Sequence, residues 1–231
     1  MRKLVAIALL VLITWLLWEW RMWPDVDALR TRNPRTTAFI ERYRAEQRRQ
    51  GHAPTVAWTW KPYAAISPNL KRAVLVAEDI NFFSHGGFDV GEMKEAITKA
   101  VEDGAAPRGA STLTQQLAKN LWLSASYHPL RKAKEALLTW RLEKTLGKRR
   151  ILELYLNVVE FGPGVYGAEA ASVRYFGKPA AALSEDEAAQ LAAALPRPRA
   201  WHPGVSTPAY RRYVAAIRER MDRAEFLRRQ I

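Results

Sequence analysis

Cysteine is absent from the 231-residue chain, which excludes a disulfide framework, thiolate catalysis and a zinc–thiolate centre. Histidine is scarce, with four residues and no pair at His-x-x-x-His spacing, so a histidine-based zinc site lacks its ligands. Neither a Gly-x-Ser-x-Gly nucleophile elbow nor a P-loop occurs. Negative charge is also short. Lys and Arg number 36 against 23 Asp and Glu, leaving a formal charge of +13, which calls for an anionic partner: nucleic acid, a phosphorylated substrate or anionic lipid. No recognised nucleic-acid reader motif is present, so base readout explains the charge poorly. Lipid headgroups or a diphosphate explain it better.

Tryptophan, by contrast, is plentiful at nine residues, and Trp15, Trp18, Trp20 and Trp23 crowd one short segment, as aromatic anchors do at a membrane–water interface. Arg2 and Lys3 precede an uncharged run from Leu4 to Trp18, against the roughly 20 residues of a spanning helix. No small-x-small cleavage site follows in WEWRMWPDV. The segment reads as an uncleaved signal-anchor over 1–23, the alternative being a cleaved signal peptide. Arg2 and Lys3 stay cytoplasmic and the rest crosses. A basic juxtamembrane segment over 24–52 and a catalytic domain over 53–231 complete the expected organisation.

Beyond the anchor the pattern is helical. Helices are expected over 36–49, from the Ser67-Pro68 start to Ala77, over 90–101, from a Ser111 or Thr112 cap to Leu123, over 130–146, 149–156, 168–175 and 184–195 (Ser184 and Glu187 as a capping box), and over 208–229. One short strand is expected within 56–63. Asp103 to Arg108 reads as a loop and FGPGVYG as a glycine-rich turn. The expected class is all-α.

The most informative run is AEDINFFSHGGFD. Glu78 and Asp79 end an apolar helix, and His85 with Gly86-Gly87 follows directly. An acid at such a boundary is partly shielded from water and presented by a sharp turn, which suits general acid–base work. His85 alone would more often be a structural side chain. In GASTLTQQLAKN, Thr112, Gln116 and Lys119 share one helix face beside an inward stripe of Leu113, Leu117 and Leu121. The plain alternative is a solvated polar face. Arg131, Lys132 and Lys134 surround Glu135, and Arg131 and Glu135 stand four apart. They form either a surface ion pair worth little or a cationic cluster able to hold a diphosphate, with or without a divalent ion.

Taken in order, AEDINFFSHGGFD, GASTLTQQLAKNLWLS, RKAKEALLTWRLEKTLGKRRILELYLN, FGPGVYGAEAASVRYFGK and LSEDEAAQLAAALPRPRAWHP resemble the successive motifs of the peptidoglycan glycosyltransferases, in their monofunctional form. The resemblance covers most of the chain after His52. It implies a mainly α, lysozyme-like glycosyltransferase domain with an N-terminal transmembrane helix and a membrane-associated lobe. It implies polymerisation of lipid II into β-1,4-linked glycan strands, with inversion and release of undecaprenyl pyrophosphate.

By the same resemblance Glu78 matches the catalytic base and Glu135 the second essential carboxylate, acting on the pyrophosphate side with a metal ion (Mg or Mn) as an expected cofactor. Lys119 and Arg131 match the diphosphate-binding cations, Thr112, Gln116 and Asn120 polar cleft residues, and Asp79, Phe82 and His85 residues that shape the first motif. All eight are expected to be substrate-binding. The implied partners are lipid II, the growing strand, membrane lipids and cell-wall synthesis or division proteins, but no nucleic acid. The implied location is the inner membrane, single-pass, with the catalytic domain on the periplasmic side. No serine has a lysine three positions on, so a transpeptidase activity is not expected. The competing enzyme is a membrane-anchored, lysozyme-like peptidoglycan hydrolase. Gly147 stands where a capping Ser or Thr is expected, and Trp122 and Trp140 where other apolar residues are.

Overall fold

The computed structural model describes residues 3, 5–7, 9, 10, 13, 14, 21, 23–104, 111–123 and 129–231. Nine helices carry the described part: α1 (Ala38–Arg49), α2 (Pro68–Glu78), α3 (Val90–Glu102), α4 (Leu113–Trp122), α5 (Pro129–Thr145), α6 (Lys148–Val158), α7 (Ala168–Phe176), α8 (Glu185–Ala194) and α9 (Pro208–Arg223). Single 3₁₀ turns lie among them, and the stretch expected to extend α9 to Arg229 breaks into one at Glu225–Arg229. Most of the expected anchor over 1–23, and the loop from residue 105 onward, lie outside the described residues. Among the described residues no helix is long and apolar enough to cross a membrane.

Capping chemistry explains the starts. Thr37, Ser67, Thr112, Ser184 and Thr207 each accept a backbone N–H of the first turn, and Thr112 and Ser184 complete capping boxes with Gln115 and Glu187. Gly147 begins α6 with no side-chain cap. The core gathers around α2, α4, α6 and α8: Leu70, Val74, Leu75, Leu117, Leu152, Leu156 and Leu191 are all fully buried. Trp122 packs partly against it, whereas Trp140 is exposed.

The described part is mainly helical, as expected, and a small sheet that includes the strand expected within 56–63 accompanies the helices. β1 (Ala57–Trp58) pairs in parallel with β3 (Val165–Tyr166), which pairs antiparallel with β2 (Glu160–Gly162) through a bulge. The strands are too short to carry an alternating pattern, and side chains hold them instead. The Asn157 side chain donates to Lys61 O (2.8 Å) and accepts from Lys61 N (2.8 Å), and the Trp58 indole N–H donates to Asn157 O (2.6 Å). Gly167 closes this corner with φ +80 and ψ 156, and an added Cβ would lie 2.6 Å from Asn157 O. Gly167→Ala is therefore expected to cost about 2–3 kcal/mol from the backbone conformation alone, read as a lowered midpoint in thermal unfolding.

The segment expected as a juxtamembrane connector is packed onto the body. Val26, Leu29 and Ile40 are buried. The Arg150 guanidinium donates to Leu29 O (2.9 Å), Arg32 O (3.0 Å) and Asn33 Oδ1 (2.8 Å). A buried arginine secures α2 in turn: Arg72, 1 % exposed, pairs with Glu185 of α8 and with Glu225 near the C-terminus (2.7 Å).

Candidate active site

Glu78 is the last residue of α2, and its backbone is held by a helix buried from Leu70 to Val76. It lines a cavity of about 500 Å³ with Asp79, Asp89, Glu92, Ser111, Thr112, Arg220 and Arg223. Burial pushes its carboxyl above the ordinary range, and the charge of Asp79 adds to this. A hydrogen bond from Gln116 and the charge of Lys119 oppose it. A carboxylate shifted in this sense holds a proton more readily than a solvated one.

The loop after Glu78 is tied to α4 by a ring of hydrogen bonds. Asp79 Oδ2 accepts the Leu113 N–H (2.9 Å), and Asp79 Oδ1 lies 2.9 Å from His85 Nε2. The Gly87 N–H donates to His85 Nδ1 (3.1 Å), which fixes the tautomer: Nε2–H donates to Asp79. Thr112 Oγ1 then donates to Gly87 O (2.7 Å). Gly87 has φ +94, and an added Cβ would meet Glu143 Cγ at 2.8 Å and Thr139 Cγ2 at 2.9 Å, so the loop can approach α5 closely only with glycine here. Phe82 is fully buried and meets Phe83 and His85 edge-on, with ring centroids 5.1 and 6.4 Å apart.

Asp79, Phe82, His85 and Thr112, expected to bind substrate, are joined here by contacts among themselves and with the start of α4. Asp79 and Thr112 line the cavity of Glu78 and also hold the loop against the start of α4, while Phe82 and His85 pack behind them. They shape the wall that presents Glu78.

A second cavity, about 440 Å³, is lined by Phe39, Arg42, Ser111, Gln115, Gln116, Lys119, Arg131, Lys132 and Glu135. Ser111 belongs to both cavities, and Gln116 Nε2 reaches across to Glu78 Oε2 at 2.7 Å. Glu78, Lys119, Arg131 and Glu135 thus line adjoining walls of one groove. Glu135, 3 % exposed, gives one oxygen to Arg131 (2.7 Å) and the other to Lys132. Lys119 has no ion-pair partner among the described residues. Burial lowers its pKa first, the charges of Arg131 and Lys132 lower it further, and Glu135 and Glu78 raise it. The wall therefore holds four cations, Arg42, Lys119, Arg131 and Lys132, around one engaged carboxylate, which suits an anion of more than one charge. Asn120 faces a third cavity, with Gln116, Lys119, Glu160, Arg197 and Arg199, while its amide donates to Gln116 O (2.8 Å).

Among the described residues no three His, Cys, Asp or Glu side chains gather as a metal site. Glu135 has both oxygens taken by cations. The donor set does not fit a protein-held divalent ion, and an ion here would need most of its ligands from a bound substrate. Sequence reasoning missed Arg220 and Arg223, because in the basic run of α9 a cavity-facing arginine looks like any solvated one. Phe39 and Arg42 were missed because the segment carrying them was expected to be a connector.

A family model described as Transglycosylase matches residues 45–222. A biosynthetic peptidoglycan transglycosylase from Thiobacillus denitrificans is 46% identical over 222 residues, covering 95% of this chain and 93% of that protein. Proteins of the same description from Azoarcus sp. and Ralstonia nicotianae are 46% identical over 211 residues (91% of this chain, 90% of the other) and 51% identical over 171 residues (72% of each).

Proposed function

The chain belongs to the transglycosylase family and is a peptidoglycan glycosyltransferase of cell-wall synthesis, and from that premise we propose that it polymerises lipid II by direct transfer from a pyrophosphoryl donor. Glu78 takes the proton of the acceptor sugar's 4-hydroxyl. The freed oxygen pair forms a bond to the anomeric carbon of the donor as the bond from that carbon to the pyrophosphate oxygen breaks. Attack from the face opposite the leaving group turns an α-linked diphosphate into a β-1,4 glycosidic bond. The electron pair leaves on the pyrophosphate, where Lys119, Arg131 and Lys132 meet the developing charge.

The observation that carries this reading is the pairing across Gln116 of one partly buried carboxylate with a wall of cations. Hydrolysis of a sugar–sugar bond has the opposite need, a proton donor for a poor leaving group and a second carboxylate at the sugar. A pyrophosphate leaves readily once its charge is neutralised. Arg220 and Arg223, on the cavity side of Glu78, are placed to neutralise an acceptor that also carries a diphosphate.

Membrane attachment follows from the substrate's polyprenyl chain. Val5, Ile7, Leu9, Leu10 and Ile13 are exposed apolar residues of the N-terminal segment, in keeping with an anchor there. Val90, Ile97 and Val101 form an exposed apolar stripe on α3, and Leu130, Leu137 and Trp140 another on α5. We place these against the bilayer on its outer, periplasmic side.

Purified full-length protein given lipid II in detergent, with and without divalent ion, tests the reading. Polymer with released undecaprenyl pyrophosphate is expected. No polymer from lipid II, together with shortening of preformed strands, would assign the groove to hydrolysis.

A further inference from the structure

Tyr155 lies on α6, fully buried. Its hydroxyl is 3.0 Å from Gln116 Oε1, and Gln116 Nε2 is 2.7 Å from Glu78 Oε2. The direction of this chain is set by its ends. An ionised carboxylate can only accept, so the amide turns its NH₂ toward Glu78 and its oxygen toward Tyr155, whose hydroxyl must donate. The phenol keeps its proton: burial raises its pKa well above the ordinary tyrosine value, and the nearby charges of Glu78 and Asp79 raise it further.

We propose that Tyr155 is a positioning residue for Glu78, acting through Gln116 by locking the amide so that an N–H always faces the carboxylate. The inference rests on the reading of Glu78 as the base. A glutamine amide is nearly symmetric in shape, so contacts that ignore hydrogen bonding do not choose between its two orientations. Turned over, it would set its carbonyl oxygen against the carboxylate and favour the protonated, inactive form. Without the tyrosine hydroxyl, the restraint on the oxygen end of the amide is gone, and only the contacts of its NH₂ with Glu78 and, at 3.5 Å, with Ser111 O oppose the turn.

The need for a lock is visible around Glu78. Gln116 makes the one hydrogen bond to its side chain among the described residues. The other charged or titratable groups facing it are Lys119 from α4, Asp79 beside it, Tyr155 from α6 and Tyr213 from α9. Asp89, Glu92, Arg220 and Arg223 line the same cavity. Burial and Asp79 favour protonation of Glu78, while Gln116 and Lys119 oppose it. Losing the Gln116 bond therefore raises the pKa of Glu78, and the acid limb of the rate profile moves to higher pH.

The test is the pH dependence of kcat/KM for lipid II polymerisation by the full chain, in wild type, Tyr155→Phe, Gln116→Met and the double variant. The ratio of Tyr155→Phe to wild-type rate is expected to fall about tenfold further on the acid limb than on the plateau. Gln116→Met is expected to show the same displacement, and the double variant no more than either single one. A Tyr155→Phe profile parallel to wild type at every pH would reduce Tyr155 to packing and overturn the inference, as would displacements that add in the double variant. Should Tyr155→Phe melt below the assay temperature, Gln116→Met decides alone, because Gln116 is partly exposed and its loss leaves the core intact: an undisplaced acid limb overturns the inference. Glu78→Gln, run alongside, separates the two levels of argument. Turnover in that variant would overturn the base assignment. An inactive Glu78→Gln with an undisplaced Tyr155→Phe profile would overturn the positioning role alone.

Discussion

Glu78→Gln is expected to lower the rate of lipid II polymerisation by about 10²–10⁴-fold and, at the same time, to raise the melting temperature at neutral pH. The loss of rate follows from removing the group that accepts the acceptor's proton. The gain in stability follows from the sign of the Glu78 shift. Its pKa is raised in the folded protein, with burial the largest cause. The folded state therefore binds a proton more tightly than the unfolded chain does. The resulting stabilisation is complete below the unfolded value and is lost as pH rises through the folded one. At neutral pH the wild-type protein holds a charge that its surroundings disfavour. Glutamine is neutral at every pH and its side-chain oxygen can still accept from Gln116. The variant's advantage should fade as the medium is made acid enough to protonate Glu78. Parallel thermal melts at neutral and acid pH check this. An equal melting temperature at neutral pH would mean that the burial of Glu78 costs the fold nothing.

Lys119→Met is expected to lower kcat by about 10²–10³-fold, with a smaller effect on KM. Lys119 is partly buried on α4, lies between the field of Glu78 and that of Glu135, and has no ion-pair partner among the described residues. Its charge is therefore available to the group that becomes more negative as the glycosidic bond breaks. Methionine keeps the length of the side chain and deletes the charge. Lys132 is the natural comparison. Its side chain is 54% exposed and already bound to Glu135, so solvent and its partner screen it. Lys132→Met should cost within about tenfold. Steady-state kinetics on both variants measures the contrast, and equal losses would show that the wall acts as a diffuse field.

Helix positions were legible because their signals are local. The Ser67-Pro68 start, the Thr112 cap and the Ser184–Glu187 box each work within four residues, and each begins its helix as expected. Of the sheet only β1 was legible, inside the strand expected within 56–63; β2 and β3 are two or three residues long, and the corner they form depends on Asn157 binding the backbone of Lys61, 96 positions away. The same distinction runs through the site. Sequence brought out Glu78, Gln116, Lys119, Arg131 and Glu135 as chemically able groups, and the fold gathers them. It could not separate groups facing the groove from groups holding its frame. Asp79 is a carboxylate like Glu78, but its oxygens are engaged by Leu113 and His85. Tyr155 gave no sign of importance, because an apolar helix position occupied by tyrosine is ordinary until the partner of its hydroxyl is known.

α3 buries none of its side chains, although Glu92 at its start helps to line the larger cavity. Glu78 and Asp79, on another wall, sit at the end of a helix buried from Leu70 to Val76. The span between α3 and the rest is thus governed by whatever surrounds the protein, lipid or solvent, and not by side chains interlocking beneath it. A jaw mounted this way can yield to a bulky polymer passing through without disturbing the frame that aims the base.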